Sequence, residues 1–215
     1  MKKHDIKHHL SKELLLAYSA GQLEEGFSLA IATHISMCDQ CRAELESLEA
    51  MGGAVFENLE PNVIDADAFA KTLALIDEMP EQTNVEPKTT ELPEPLADYV
   101  GCDLEDIDWR PIGMGVKQKI LVNSEKVSAR LLYIPAGTAV PEHSHKGREV
   151  TLVLKGAFKD EIDYFGPGDI ELADGDTHHT PVASDEEDCI CLAVTDAPLQ
   201  FNKLIHKIAQ PFLKI

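Results

Sequence analysis

The hydrophobic rhythm of the chain changes once, near residue 95. Up to residue 79 the apolar positions recur at helical spacing. Leu14, Leu15 and Tyr18 share one face of a segment that Ser11, a good N-cap residue, opens, which predicts a helix over Lys12–Ala20. After Gly21, Phe27, Leu29, Ala30, Ile31, Ile35 and Met37 predict a second helix over 24–38. Leu45, Leu48 and Met51 line a third that ends at Gly52-Gly53, and Phe69, Leu73 and Ile76 form one stripe of a fourth, from Asp65 to Glu78, which Pro80 stops. Residues 80–95 carry four prolines and almost no apolar periodicity, the pattern of an extended interdomain linker. Beyond it come short strands, Lys117–Leu121, Val127–Ile134, Val150–Leu154, Ala157–Tyr164, Asp169–Leu172 and Cys189–Val194, separated by Gly, Pro and Asp turns. The expected architecture is two domains: an all-α helical domain over 1–79, a linker over 80–95, and an all-β sandwich or barrel over 96–215.

The stretch H-I-S-M-C-D-Q-C, His34 to Cys41, carries the first candidate chemistry. On a helix, His34 and Cys38 stand at i, i+4 and point to one spot. Cys41 follows across the short polar turn Asp39-Gln40, giving three of the four soft nitrogen and sulfur ligands that tetrahedral zinc prefers. Buried structural thiols are the competing reading of a Cys-x-x-Cys pair on an apolar face. A thioredoxin-like redox pair fits less well, because no strand pattern precedes the motif. A fourth ligand is available from His4, His8 or His9 in the basic N-terminus. His9 lies closest to the Ser11 cap and is the best anchored of the three.

Charge and cysteine usage narrow the function. A formal net charge of −19 opposes direct binding to DNA or anionic membrane and favours a basic protein partner. No run of about 18 apolar residues is present and the N-terminus lacks the apolar core of a signal peptide, so a cytoplasmic protein without membrane association is expected. Five cysteines at ligand-like spacings fit reduced thiols better than a disulfide framework.

The second cluster lies among the strands, in P-A-G-T-A-V-P-E-H-S-H-K-G-R-E-V-T-L-V-L-K-G. His143 and His145 alternate on a strand-like segment and so face one side, toward a barrel interior. Glu149 follows in the same hairpin, and the later His178-His179 offers another imidazole from a distant strand. Such a set suits a mononuclear divalent metal: Zn, Fe, Mn, Ni or Cu. Gly137, His143, His145, Glu149 and Gly156 match the first cupin motif at every named position. The second cupin motif is looser: Gly166-Pro167-Gly168-Asp169 and His179 fit, while Ala183 stands where Asn is common. The all-β domain therefore resembles a cupin barrel, a jelly roll.

With the N-terminal H…H-x3-C-x2-C, the two-part order resembles ChrR-type zinc-binding anti-sigma factors across essentially the whole chain. The resemblance implies a bacterial cytoplasmic regulator whose helical domain binds an extracytoplasmic-function sigma factor in a 1:1 complex, and whose cupin domain answers singlet oxygen or related oxidants such as organic hydroperoxides. Carried onto these positions, it implies zinc on His9, His34, Cys38 and Cys41, and zinc or another divalent metal on His143, His145, Glu149 and His179. It also draws attention to Cys189 and Cys191 as redox-sensing thiols. In a strand these two face the same side with Cα atoms about 6.5–7 Å apart, at the edge of disulfide reach, so reduced thiols are expected, and ordinary core residues are an equal reading. Phe69, Leu73 and Ile76 could dock in a groove of the sigma factor or pack on their own bundle. The alternative from a different class is a cupin metalloenzyme, a dioxygenase or isomerase, with the helices serving oligomerisation.

Overall fold

The structure is a computed structural model that describes residues 5–80, 90–141, 143–144, 146–175, 177–197 and 200–201. Four helices fill the N-terminal part: α1 (Lys12–Ser19), α2 (Glu25–Met37), α3 (Asp39–Glu57) and α4 (Ala68–Asp77). The Ser11 hydroxyl accepts the Leu14 N–H and caps α1, as its position in the sequence suggests. Two details differ from the sequence reading. Asp39 and Gln40 do not form a connecting turn but open α3, with Cys38 serving as C-cap of α2 and N-cap of α3 at once. And α3 does not stop at Gly52-Gly53. Helical glycines cost only about 1 kcal/mol each, and without a left-handed cap residue they weaken the helix but leave it running to Glu57.

A fifth helix, α5 (Glu94–Val100), begins inside the stretch assigned to the linker. Residues 81–89 of that stretch lie outside the described residues. Between Thr90 and Val100 the chain is built into the fold: Leu92 and Leu96 are buried, and α5 packs against α2. Pro93 and Pro95 here open a helix, where the fixed φ of proline is favourable and its missing N–H costs nothing.

Among the described residues the C-terminal part holds twelve strands: β1 (Arg110–Gly113), β2 (Val116–Asn123), β3 (Ser128–Ile134), β4 (His143–Ser144), β5 (Glu149–Lys155), β6 (Phe158–Lys159), β7 (Tyr164–Phe165), β8 (Ile170–Ala173), β9 (His178–His179), β10 (Val182–Ala183), β11 (Cys189–Thr195) and β12 (Gln200–Phe201). They form one six-stranded antiparallel sheet, β1-β2-β3-β11-β5-β8, and two small ones, β10-β6-β7 and β12-β4-β9. The single strand expected over Ala157–Tyr164 is a hairpin, β6–β7, because the Asp160 side chain accepts the Ile162 and Asp163 N–H groups and turns the chain.

Both faces of the large sheet are covered. Val116, Ile134, Val153, Phe158, Phe165, Cys189 and Cys191 pack together inside the barrel. On the opposite face Ala129, Leu131, Val150, Leu152, Leu192 and Val194 join Phe27, Ile31, Leu15 and Leu96 of the helices in one continuous core. Helix α2 lies across β3, β11 and β5, and Gly26 makes this close approach possible: a Cβ there would stand 3.0–3.1 Å from Val127, Ala129 and Val194 side-chain carbons. Burial of Phe27 and Ile31 alone contributes about 1.5–3 kcal/mol each to holding helices on barrel. Among the described residues no helix is long and apolar enough to cross a membrane.

Candidate metal centres

His9 sits on the extended segment just before α1, His34 in the last turn of α2, Cys38 at the junction of α2 and α3, and Cys41 in the first turn of α3. One ligand atom from each lies within 4.8 Å of all the others, so the four could hold a metal ion. The Cys38 Sγ is 3.3 Å from His9 Nδ1 and the Cys41 Sγ is 3.3 Å from His34 Nε2. Burial pushes His34 down to about 4, so its imidazole is neutral at pH 7, and burial lifts the Cys41 thiol to about 11. Two imidazoles and two thiols on one point match the soft, tetrahedral preference of zinc. The His34 Nδ1–H donates to the Gly168 carbonyl, 3.0 Å away, which leaves Nε2 as the nitrogen facing the thiols. Of the other histidines weighed for this cluster, His8 turns to the barrel, its ring 4.4 Å from that of Phe165, and His4 lies outside the described residues.

In the barrel, His143 pairs with His179 across β4 and β9, and Glu149 opens β5 with its carboxylate buried. His145 and the side chain of His143 lie outside the described residues. Two residues that the motif reading missed stand beside His179. Its Nδ1 is 3.1 Å from Asp160 Oδ2 and 2.9 Å from Glu171 Oε1. Burial alone would lower His179, but the Glu171 hydrogen bond and the charges of Glu171 and Glu149 lift it to about 9, while burial raises Glu171 to about 7. With Nδ1 held by carboxylates, a metal in the barrel would take His179 through Nε2, the carboxylate–histidine arrangement of many metal sites. The signal for Glu171 was present in the sequence as an acidic residue inside the apolar strand I-E-L-A, at an inward position. Asp160 had none, since its approach depends on the β6–β7 turn.

A family model described as the ChrR Cupin-like domain matches residues 98–198. The anti-sigma-E factor ChrR of Cereibacter sphaeroides is 50% identical over 214 residues, spanning 98% of this chain and 99% of that protein. This chain belongs to the ChrR family. Among solved structures, the crystal structure of Rhodobacter sphaeroides SigE in complex with the anti-sigma ChrR superposes with a TM-score of 0.79 at 50% identity, covering 89% of this chain and 100% of that one.

Two further features of this ChrR-family chain bear on function. Cys189 and Cys191 both lie in the interior of the barrel, buried, and are free thiols. The Cys189 hydrogen bond and burial hold the Cys191 thiol well above its ordinary range, so both the protonated state and the lack of access keep it unreactive at rest. The second feature is α4, which has no buried residue: Phe69, Leu73 and Ile76 are exposed by 74%, 44% and 55%. They do not pack on their own bundle. Met51, Val55, Phe56 and Leu59 at the end of α3, and Val63 and Ile64 before α4, are exposed as well.

Proposed function

We propose that this chain is a cytoplasmic anti-sigma factor that sequesters an extracytoplasmic-function sigma factor in a 1:1 complex and releases it on an oxidative signal, singlet oxygen or an organic hydroperoxide. The observation that carries the reading is the apolar arm formed by the end of α3 and by α4. A row of large aliphatic and aromatic side chains in water is an interaction surface waiting for a partner, and the relative with which this chain shares half its residues along nearly its whole length is an anti-sigma factor. The related structure in complex with SigE supports the same class of partner. A net charge of −19 adds complementarity to the basic surfaces with which a sigma factor meets promoter DNA.

In this reading zinc on His9, His34, Cys38 and Cys41 organises the helical part, and zinc or another divalent metal on His143, His145, Glu149 and His179 serves the barrel as sensor. Cys189 and Cys191 are the thiols that a peroxide would reach once the barrel loosens. A regulatory role takes the place of the metalloenzyme alternative. The test is a reporter gene driven by the cognate sigma factor. Expression of this chain should silence it in the dark, and photosensitiser with light should restore it. A reporter indifferent to the chain would refute sequestration, and silencing that neither light with photosensitiser nor an added organic hydroperoxide relieves would refute the oxidative signal.

A further inference from the structure

We propose that the barrel turn Gly166–Asp169 positions the metal ligands of the helical part, with Asp169 holding the segment that carries His9 and Gly168 orienting His34. Asp169 is wholly buried. Its Oδ1 accepts the N–H groups of Lys7 at 2.6 Å and His8 at 2.9 Å, and its Oδ2 accepts the Gly166 N–H at 2.9 Å. The Ile170 N–H donates to the His8 carbonyl at 3.3 Å. Residues 7 and 8 are therefore bonded into the barrel immediately before His9, and the two bonds to the Asp169 carboxylate are charge-assisted, about twice as strong as neutral ones.

Gly168 acts on the second ligand. Its carbonyl receives the His34 Nδ1–H, which fixes both the tautomer and the ring plane and presents Nε2 to the thiols. The residue has φ +89°, a conformation that favours glycine, and a Cβ on it would stand 2.6 Å from Ile6 Cδ1, so any side chain here would push the Ile6 side chain off the turn. The turn itself is tied to β5: the Gly168 N–H donates to the Val153 carbonyl at 2.8 Å and the Val153 N–H to the Asp169 carbonyl at 3.1 Å. Two of the four ligands of the helical cluster thus take their positions from one rigid turn of the other domain. Two residues further on, Glu171 touches His179, so the same short piece of chain runs from one candidate metal centre to the other. By reciprocity of linkage, whatever displaces the start of β8 also weakens the helical centre.

The inference goes beyond sequestration and rests on the helical cluster binding a metal. It is tested by cobalt(II) titration of the metal-free full chain. Thiolate-bound cobalt absorbs through sulfur-to-metal charge transfer, and the proposed barrel ligands contain no sulfur, so that band reports the helical cluster once it is shown to survive in Cys189→Ser/Cys191→Ser, which removes the barrel thiols, and to vanish in Cys38→Ser. Asp169→Ala should weaken cobalt binding there by about 10- to 100-fold, the usual effect of removing a group that orients a metal ligand. Asp169→Asn keeps an oxygen for the Lys7 and His8 N–H groups but loses the charge, so it should show a smaller loss and serves if the alanine variant does not fold. Wild-type affinity in Asp169→Asn, or in a folded Asp169→Ala, would overturn the proposal. Absence of the band in the wild-type chain would instead overturn the metal reading, and the inference with it.

Discussion

The protonation states of single side chains set how the helical cluster would take up metal. Cys41, lifted to about 11 by burial, must give up its proton when metal binds, whereas His34, lowered to about 4, has none to release near neutral pH. Metal affinity of this cluster should therefore rise with pH, by about tenfold per unit for the Cys41 proton, and fall on acidification. Chelator competition between about pH 6 and pH 8 measures it, and a flat profile would mean that the Cys41 thiolate is not a ligand. In the barrel, Glu171→Ala removes the shorter of the two bonds that hold His179 Nδ1. Metal affinity of the barrel should drop by about 10- to 100-fold while the thiolate-cobalt band stays, and equal affinity would deny Glu171 an orienting role. The cluster of His9, His34, Cys38 and Cys41 was legible in the sequence because i, i+4 spacing and a helix cap are local facts. Asp160 was not, and of Asp169 only its place in the cupin motif was, because each acts across a distance in sequence that only the closed barrel brings to contact.

Helices and strands were legible where their periodicity is strong. The stripe Phe69, Leu73, Ile76 lies on α4 as expected, but periodicity cannot say what a stripe faces, and here it faces water. Phe69→Asp with Leu73→Asp should leave the fold and its melting temperature unchanged and cost sigma binding about 2–4 kcal/mol, as loss of central anchors does. An unaltered affinity in a pull-down or titration would place the partner elsewhere. The proline-rich stretch was the misleading element. Its prolines marked the entrance of α5 as readily as a linker, and a second signal pointed against loose domains: β5 and β11 read V-T-L-V-L and C-I-C-L-A-V, apolar on both faces, as strands covered on both sides do. The cover is α2. Gly26→Leu should wedge α2 from the sheet and destabilise the chain by about 1–3 kcal/mol, visible as a lower melting temperature. A melting temperature at or above that of the wild type would mean that the helix and sheet are not packed as tightly as the structure has them.

At the scale of the molecule, helices and barrel share a hydrophobic core and a hydrogen-bonded turn, so a change in the barrel has a physical route to the helices. An oxidant shifts such a system only if the barrel differs, before and after reaction, in how it meets the helical part or the sigma factor. Glu149→Ala, which removes a proposed barrel ligand and leaves the helical cluster and the apolar arm in place, should still sequester the sigma factor and fail to release it. Native mass spectrometry of this chain co-expressed with its sigma factor, before and after exposure to photosensitised singlet oxygen, tests that division of labour most directly. The wild-type chain should form a metal-loaded 1:1 complex that dissociates after exposure, and the Glu149→Ala complex should persist. Failure of the wild-type chain to form a complex, or equal dissociation of both proteins, would contradict it.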